Sequence, residues 1–201
     1  MSERRVERFS RTERALHWVH AIAFLVLLVS GAVLWSPRLA ELVARRPLVE
    51  EIHLYTALAW AAALVFVLQL GDRARLRATL RELELFDRDD RRWLLGRRTP
   101  QGRFNAGQKL NAALTASFAV LFSVSGFLLW LGERDTRFRF ASTILLHDGL
   151  MYASLALLLG HLYLAALYPA TRHSLRGMTL GSVRRDWALR RHAKWLDDAS
   201  P

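Results

Sequence analysis

Long runs of apolar residues, separated by charged segments, dominate this chain. The runs are Leu16 to Trp35, Ile52 to Leu70, Leu110 to Leu131 and Ile144 to Tyr168. Each run has about 19 to 25 residues, and a helix of that length crosses a hydrocarbon core of about 30 Å. Aromatic residues that favour the membrane interface stand near their ends: Trp18, Trp35, Trp130 and Tyr168. The pattern predicts an all-α integral membrane protein, a four-transmembrane-helix bundle that forms one domain over residues 1–201.

The segments between the runs are polar. They are two short connections, a longer loop and a tail: 36–51, 132–143, 71–109 and 169–201. Within the loop, Ala74 to Phe86 has apolar residues at helical spacing opposite arginines, which predicts an amphipathic helix on the membrane surface. The tail mixes arginine with tryptophan and is expected to lie along the lipid headgroups, with His173 and His192 exposed to solvent.

The distribution of basic residues indicates the orientation. The chain is 52% hydrophobic and yet carries a net charge of +11, a combination typical of a membrane protein with charged loops. The stretch from Met1 to Ala15 has five arginines, the loop 71–109 eleven basic residues and the tail seven, against three in each short connection. Because cytoplasmic segments are enriched in Lys and Arg, both termini are predicted to be cytoplasmic. Topology accounts for the basic charge, so nucleic acid is not expected as a partner.

The absence of cysteine limits the redox groups that this chain could hold. Covalent attachment of c-type haem needs a Cys-x-x-Cys-His sequence, and iron–sulfur clusters are held by cysteine thiolates. Neither group is therefore expected on this chain. A haem in this protein would be b-type, held by its axial ligands and by packing alone.

Four histidines lie within or at the ends of the apolar runs: His17, His53, His147 and His161. Imidazole is costly in hydrocarbon, so a histidine in a membrane span indicates function. His147 and His161 are fourteen residues apart, which places both on one helix face about 21 Å from each other. Two depths on one helix, with histidines available on other helices, indicate two stacked b haems and electron transfer across the membrane.

Depth in the membrane predicts how these histidines pair. With both termini cytoplasmic, His17 opens the first helix at the inner face and His53 opens the second at the outer face. The fourth helix runs inward, so His147 lies near the outer face and His161 near the inner one. Two imidazoles that ligate one haem come from different helices at matched depth. Depth therefore pairs His53 with His147 and His17 with His161. His20, one turn deeper than His17, is an alternative ligand, or a hydrogen-bond donor to a haem propionate or a quinone.

Two glycines give a weaker signal. Gly31 lies fourteen residues after His17, at the depth of the outer haem, and Gly126 lies on the third helix. A missing side chain at either position would let a porphyrin approach the backbone. Small residues that favour helix–helix packing explain both glycines equally well.

Several motifs in this chain are more distinctive than the histidines. They are Arg14-Ala15-Leu16-His17-Trp18, Phe104-Asn105-Ala106-Gly107-Gln108-Lys109, Leu146-His147 with His161, Gly177-Met178, Arg184-Arg185-Asp186-Trp187 and Lys194-Trp195. On these motifs the sequence resembles the cytochrome b (gamma) subunit of membrane-bound respiratory formate dehydrogenases, over nearly the whole chain. The resemblance implies that His53 and His147 hold the outer haem, and that His17, rather than His20, holds the inner haem with His161.

The resemblance also implies a menaquinone or ubiquinone site near the inner haem, formed by Asn105, Gly107, Gln108 and Lys109. Amide and ammonium donors near cytoplasmic water suit a quinone carbonyl that gains electrons and protons. An ordinary polar helix start, with Asn105 as N-cap, is the alternative interpretation of the same residues.

The implied function is electron transfer from a periplasmic formate dehydrogenase, through an iron–sulfur (beta) subunit and the two haems, to quinone at the cytoplasmic side of the bacterial inner membrane. Formate oxidation would belong to a molybdenum or tungsten catalytic (alpha) subunit, whereas quinone reduction would occur on this chain. The family resemblance also implies a trimer of the complex. Two alternatives stay open: a cytochrome b that serves a hydrogenase or another quinone-linked oxidoreductase, and a haem-free membrane anchor subunit.

Overall fold

The computed structural model describes residues 4–197, which are mostly helical. In chain order they form β1 (Arg5–Glu7), α1 (Arg11–Trp35), α2 (Pro37–Val43), α3 (Arg46–Leu70), α4 (Arg73–Glu84), α5 (Arg88–Leu94), α6 (Ala106–Arg134), α7 (Ala141–Leu162), α8 (Ser174–Leu180), β2 (Ser182–Arg184), α9 (Arg185–Arg191) and α10 (Ala193–Asp197). A short 3-10 turn, Thr136–Phe138, precedes α7, and one π-helical turn, Tyr163–Leu167, follows it.

Four helices are long and apolar enough to cross a membrane: α1, α3, α6, and α7 with its π-helical turn. Many of their apolar side chains face outward, as Val29 and Phe66 do, with 65% and 63% of their surface exposed. Such a surface is stable against lipid tails, which are as apolar as leucine. The prediction of four membrane-spanning helices is confirmed.

The first two spanning helices begin before their apolar runs do. α1 starts at Arg11 and α3 at Arg46, because charged residues at the interface continue a helix without entering the hydrocarbon. The predictions that His17 and His53 open their helices are therefore wrong. His17 lies six residues inside α1. The departure is larger for His53. It lies seven residues, or about two turns, inside α3.

Side chains cap the helices of the loop 71–109. α4 confirms the amphipathic helix predicted from Ala74 to Phe86, and it begins where the Asp72 carboxylate accepts a hydrogen bond from the Arg75 N–H at 3.0 Å. α5 begins with a reciprocal capping box, in which Asp87 and Asp90 each accept the other's backbone N–H. These caps satisfy N–H groups that a helix start leaves without partners.

A two-stranded antiparallel sheet, which the sequence pattern did not predict, joins the N-terminal segment to the tail. In the sheet β1 pairs with β2, and Val6 stands opposite Val183. Val183 is buried together with Trp187, Ala188 and Leu196. The expectation that the tail lies along the lipid headgroups is wrong at Trp187, which is 4% exposed and forms part of a small core.

The described residues form two compact units. The loop-and-tail unit comprises residues 4–14, 71–115 and 160–197, and it contains the sheet and most of the short helices. The helical unit comprises residues 15–70 and 116–159, and it contains most of the four long helices. His53 and His147 both belong to the helical unit, whereas the segment from 105 to 109 belongs to the loop-and-tail unit.

Candidate functional site

Two predicted haem ligands, His53 on α3 and His147 on α7, lie close together in the helical unit. Their ring centroids are 6.4 Å apart and their ring planes make an angle of 66°. Metal–imidazole bonds are about 2 Å long, so two imidazoles on opposite sides of one metal ion have centres about 6 Å apart. The observed spacing fits the axial ligation of one haem iron.

A serine hydroxyl contacts Nδ1 of each imidazole. Ser30 Oγ lies 2.8 Å from Nδ1 of His53. Ser125 Oγ lies 2.8 Å from Nδ1 of His147. Each hydroxyl donates its own hydrogen to the helix carbonyl four residues earlier, at 2.7 Å, so its oxygen accepts from the Nδ1–H group. The lone pair of each ring is then on Nε2, where it can bind a metal.

A glycine follows each of these serines and lies beside the same imidazole. A Cβ atom on Gly31 would be 3.4 Å from Cε1 of His53. A Cβ atom on Gly126 would be 3.5 Å from Cε1 of His147. Phe122 adds an edge-on contact to His147, with centroids 5.1 Å apart. Helices α1 and α6 thus present the same Ser-Gly pair to an imidazole, and a side chain at either glycine would fill the space beside the ring.

Two other histidines of the spans, His17 and His20, have aromatic neighbours. His17 lies edge-on to Trp18, with centroids 5.3 Å apart. His20 stacks on Phe24 at 6.0 Å and lies 5.9 Å from Trp60. The pairing of His17 with His161 stays a prediction, as does the preference for His17 over His20.

The segment predicted to bind quinone forms the first turn of α6. The Gln108 N–H donates to Oδ1 of Asn105 at 2.9 Å, and the Asn105 N–H donates to Oε1 of Gln108 at 3.1 Å. This reciprocal pair is a capping box, so Asn105 does act as an N-cap. Because only oxygen accepts these bonds, the oxygens of both side-chain amides are assigned. Within residues 4–197 neither NH2 group has a hydrogen-bond partner.

Lys109 and Gly107 make structural contacts in the same turn. Lys109 Nζ donates to Oδ2 of Asp90 at 2.6 Å and to the Leu85 carbonyl at 2.8 Å. The pair is buried, with 11% of the lysine and 4% of the aspartate side chain exposed. A Cβ atom on Gly107 would lie 3.1 Å from the indole of Trp93, so a larger residue would displace that ring.

Arg103 connects three parts of the loop-and-tail unit. Its guanidinium contacts Oε1 of Glu13 at 2.8 Å and Oε2 of Glu82 at 2.7 Å. It also donates to the backbone carbonyl of Arg8 at 3.0 Å, and Thr79 donates to Glu13 at 2.6 Å. The network ties the N-terminal segment and α4 to the residues that precede α6. It therefore helps to fix the position of the capping box.

A further network buries His192, which was predicted to be exposed to solvent. That prediction is wrong: the side chain is 2% exposed and its ring lies 5.1 Å from that of Trp187. Nδ1 donates to the Gly102 carbonyl at 2.7 Å, and Nε2 accepts from Arg8 at 3.2 Å. Burial, together with the charge of Arg8, lowers the pKa of His192 to about 3. The ring is neutral at physiological pH. His173, by contrast, is exposed as predicted.

Arg8 is the charged partner of His192 and is itself 1% exposed. Its guanidinium lies 5.2 Å from the ring centroids of both Phe9 and Trp187, and Nη2 donates to the Arg103 carbonyl at 2.8 Å. Burial, with the nearby charge of Arg103, lowers the pKa of Arg8 to about 9. The group stays charged at neutral pH, held by aromatic faces and carbonyl oxygens.

Sequence reasoning missed Ser30, Ser125, Asp90 and Arg8. The repeated Ser-Gly pair on the first and third helices was the available signal for the two serines. For Asp90 and Arg8 the sequence offers no comparable pattern. Their partners are 19 and 184 residues away along the chain, so only the tertiary structure identifies them.

Comparison with known proteins covers most of the chain. The sequence model of the prokaryotic cytochrome b561 family matches residues 8–181. The chain is 26% identical over 194 residues to the cytochrome b556(Fdn) subunit of nitrate-inducible formate dehydrogenase from Escherichia coli (strain K12), which covers 91% of this chain and 86% of the relative. It is 26% identical over 206 residues to the formate dehydrogenase cytochrome b556(fdo) subunit of the same strain, covering 94% and 91%. It is 22% identical over 210 residues to the formate dehydrogenase cytochrome b556 subunit of Haemophilus influenzae, covering 96% and 83%. This chain belongs to the prokaryotic cytochrome b561 family, whose members are helical membrane proteins that bind haem b.

Proposed function

We propose that this chain is the membrane cytochrome b subunit of a formate dehydrogenase complex. It would receive electrons from an iron–sulfur (beta) subunit at the outer face of the bacterial inner membrane, and formate would be oxidised on a molybdenum or tungsten catalytic (alpha) subunit. Relatives named as formate dehydrogenase cytochrome b556 subunits align with more than nine-tenths of this chain, which supports the choice of partners. The complex would assemble as a trimer, as the family resemblance implies.

The observation that carries the proposal is the pair of imidazoles in the helical unit. His53 and His147 are 6.4 Å apart at their ring centroids, and a serine hydroxyl contacts Nδ1 of each. We assign these two residues as axial ligands of an outer b haem. When bound, a haem supplies a centre that takes up and releases one electron. The chain contributes the spacing of the two rings, their tautomer and an environment of apolar helices.

We assign His17 and His161 as the ligands of an inner b haem. α7 carries both His147 and His161, fourteen residues apart on one helix, so helical rise alone separates the two sites by about 21 Å. The basic residues of the loop 71–109 and the tail favour a cytoplasmic location for both termini. Electrons would then move from the outer haem to the inner one.

We propose that menaquinone or ubiquinone binds at the start of α6 and is reduced there. The oxygens of Asn105 and Gln108 cap the helix, which directs their NH2 groups away from the backbone and leaves them able to donate to a quinone carbonyl. An ammonium has three N–H donors, and Lys109 uses two of them on Asp90 and the Leu85 carbonyl. The third N–H of Lys109 is available for the quinone carbonyl or for water.

Quinone reduction consumes two electrons and two protons. Donors to the carbonyl oxygens would stabilise the charge that the quinone gains, since these hydrogen bonds strengthen as negative charge develops. Gly107 would contribute indirectly, because it allows Trp93 to pack against this turn. Protons taken from the cytoplasm, with electrons arriving from the outer face, would generate a membrane potential.

The direct test of this function uses the chain purified with its partner subunits and reconstituted in vesicles. Formate is expected to reduce the b-type absorption bands, and addition of a menaquinone or ubiquinone analogue is expected to reoxidise them. Reduction by hydrogen, with no response to formate, would assign the chain to a hydrogenase. A complex without b-type bands would contradict the cytochrome function itself.

The quinone site is tested by separating helix capping from hydrogen-bond donation. Asn105→Asp and Gln108→Glu keep the oxygens that cap α6 but lack the NH2 donors. Either change is expected to slow reoxidation by quinone on the order of 10- to 1000-fold, with haem spectra unchanged. The melting temperature is expected to stay unchanged in Asn105→Asp. It is expected to rise in Gln108→Glu, because Oε1 of Gln108 lies 3.4 Å from Nη2 of the buried Arg8. Asn105→Ser makes the same test without adding a charge, because it also keeps a capping oxygen and lacks the amide. It is expected to slow reoxidation as well. Wild-type reoxidation rates in all three variants would contradict the proposed site.

A further inference from the structure

One arrangement occurs twice around the imidazole pair. On α1 the hydroxyl of Ser30 contacts His53, and on α6 the hydroxyl of Ser125 contacts His147, each at 2.8 Å from Nδ1. We propose that Ser30 and Ser125 are positioning residues that fix the tautomer and the ring plane of these two histidines and thereby lower the reduction potential of the haem between them. This inference rests on the outer haem of the proposed function.

Helix stability does not account for these serines. A hydroxyl that bonds back to the carbonyl four residues earlier slightly destabilises a helix. Ser125 is fully buried and Ser30 is 6% exposed, so no surrounding solvent or lipid competes for either oxygen. Ser123, also on α6, makes the same bond back to its helix at 2.8 Å but is exposed and has no hydrogen bond to a histidine. The buried serines are distinguished by their contact with an imidazole.

The chemistry of the contact favours serine over a stronger acceptor. An acceptor at Nδ1–H makes Nε2 a more basic ligand and prevents rotation of the ring. A carboxylate would do this more strongly, but it would place a charge within membrane-spanning helices, where charge is costly. The hydroxyl is neutral and both of its atoms have a partner. Its oxygen accepts from the Nδ1–H group, and its hydrogen is donated to a helix carbonyl at 2.7 Å. The arrangement is a satisfied polar network within apolar helices.

Removal of either hydroxyl should therefore act on one haem. In Ser125→Ala and in Ser30→Ala, the affinity of the outer site for haem is expected to fall about 10- to 100-fold. The reduction potential of that haem is expected to rise, because a less basic ligand stabilises ferric iron less. A tenfold larger loss of affinity for oxidised than for reduced haem corresponds to about 59 mV. The second haem should keep its potential.

Two measurements on the purified holoprotein report the effect without any turnover. A redox titration followed in the visible spectrum gives the potential of each haem. The low-spin electron paramagnetic resonance signal of the ferric haem responds to the angle between the two imidazole planes, which is 66° in the structure. Both observables should change for the same haem in the two alanine variants, and the double variant should change further.

Matched variants separate positioning from packing. Ser123→Ala makes the same chemical change on the same helix and is expected to alter neither observable. Ser125→Thr keeps the hydroxyl and is expected to retain the wild-type reduction potential of the outer haem. If an alanine variant fails to assemble, Ser125→Cys replaces it, because a thiol has nearly the same size but is a weak acceptor. The potential of the outer haem is then expected to rise in the cysteine variant.

The outcomes distinguish this inference from the haem assignment on which it rests. Unchanged potential and resonance in the serine variants, together with loss of one haem in His147→Ala, would overturn the role of the serines alone. Equal shifts of both haems, or the same shift in Ser123→Ala, would also overturn it. Full haem content in His147→Ala would instead overturn the assignment of the outer haem.

Discussion

Three histidines of this chain, two half-buried and one fully buried, lie in two environments, and the difference shows what leaves a ring nitrogen available to a metal. His53 and His147 in the helical unit each have Nδ1 on a neutral hydroxyl, which leaves the lone pair on Nε2, and the two rings are 6.4 Å apart. His192 in the loop-and-tail unit is more deeply buried, but a carbonyl and a guanidinium occupy both of its nitrogens. Burial alone therefore does not identify a ligand. A spare nitrogen on each of two neighbouring imidazoles is what supports the proposed ligand role of His53 and His147.

The two units also differ in the charge that they bury. The partners of the imidazoles in the helical unit are hydroxyl groups, whereas the loop-and-tail unit buries the ion pairs Lys109–Asp90 and Arg103–Glu13. Neutral partners suit an electron carrier surrounded by lipid, because a fixed charge there has no water to solvate it. Ionic groups suit the region where quinone is proposed to take up protons. The comparison leads to four predictions.

The largest effect is expected at the imidazole pair. His53→Ala and His147→Ala should each remove the same haem and leave the other, since each removes one of two axial ligands of the proposed outer site. His192→Ala should keep the full haem content despite loosening the tail, because both of its nitrogens are already occupied. Haem per chain and the separate potentials are measured on the purified protein. Loss of different haems in the two ligand variants would contradict the pairing.

A smaller but substantial effect is expected at the buried ion pair. Asp90→Ala leaves the Lys109 ammonium buried without its carboxylate, which should lower the free energy of unfolding by about 3–5 kcal/mol. The double variant Asp90→Ala with Lys109→Met should recover most of that loss, because no unpaired charge is left behind. Thermal unfolding followed by circular dichroism gives both values. Equal melting temperatures for the single and the double variant would show that an unpaired Lys109 ammonium does not destabilise the fold.

Acid should loosen the tail at His192. Its pKa is about 3 in the folded protein and 6.5 in the unfolded chain, so below pH 6.5 the unfolded state binds more protons. The stabilisation is complete above pH 6.5 and declines as pH falls toward 3, by about 1.4 kcal/mol for each pH unit. Proteolysis of the tail at pH 7 and pH 5 measures the change. His192→Gln should show less dependence on pH over that interval, and an equal dependence would assign the effect to other groups.

The smallest effect is expected at an exposed ion pair of the same unit. Lys194 contacts Asp87 at 2.5 Å, but 39% and 47% of the two side chains are exposed. Water and salt screen such a pair, so Lys194→Ala should change the free energy of unfolding by less than about 1 kcal/mol. Repeating the measurement in high salt should reduce the difference further. A loss as large as that of Asp90→Ala would contradict the distinction between buried and exposed charge.

Local patterns in the sequence were sufficient to predict the spanning helices. Each apolar run is long enough to cross the membrane by itself, and nothing distant is needed to identify it. The proximity of His53 and His147 was also predictable, because the distribution of arginine predicted an orientation, and that orientation predicted a shared depth for the two residues. The position of His53 within its helix was not, since α3 continues into charged residues that the apolar run excludes.

Features that depend on distant contacts were not predictable. Ser30 acquires its role only where α1 meets α3, and the ring of His192 is buried only because Gly102 and Arg8 lie against it. The tail gave a misleading signal, because arginine and tryptophan at a membrane surface and in a small folded core look alike in sequence. Asn105 shows a further limit, since one side chain caps a helix with its oxygen and leaves its NH2 group available.

The haem content of the purified protein measures directly whether one chain holds two b haems. The pyridine haemochrome spectrum gives the amount and type of haem, and amino-acid analysis gives the amount of protein. Two b haems per chain are expected, both extractable into acidified organic solvent, because a chain without cysteine forms no thioether link. One haem per chain would contradict the pairing of four histidines by depth, and none would contradict the electron-transfer function.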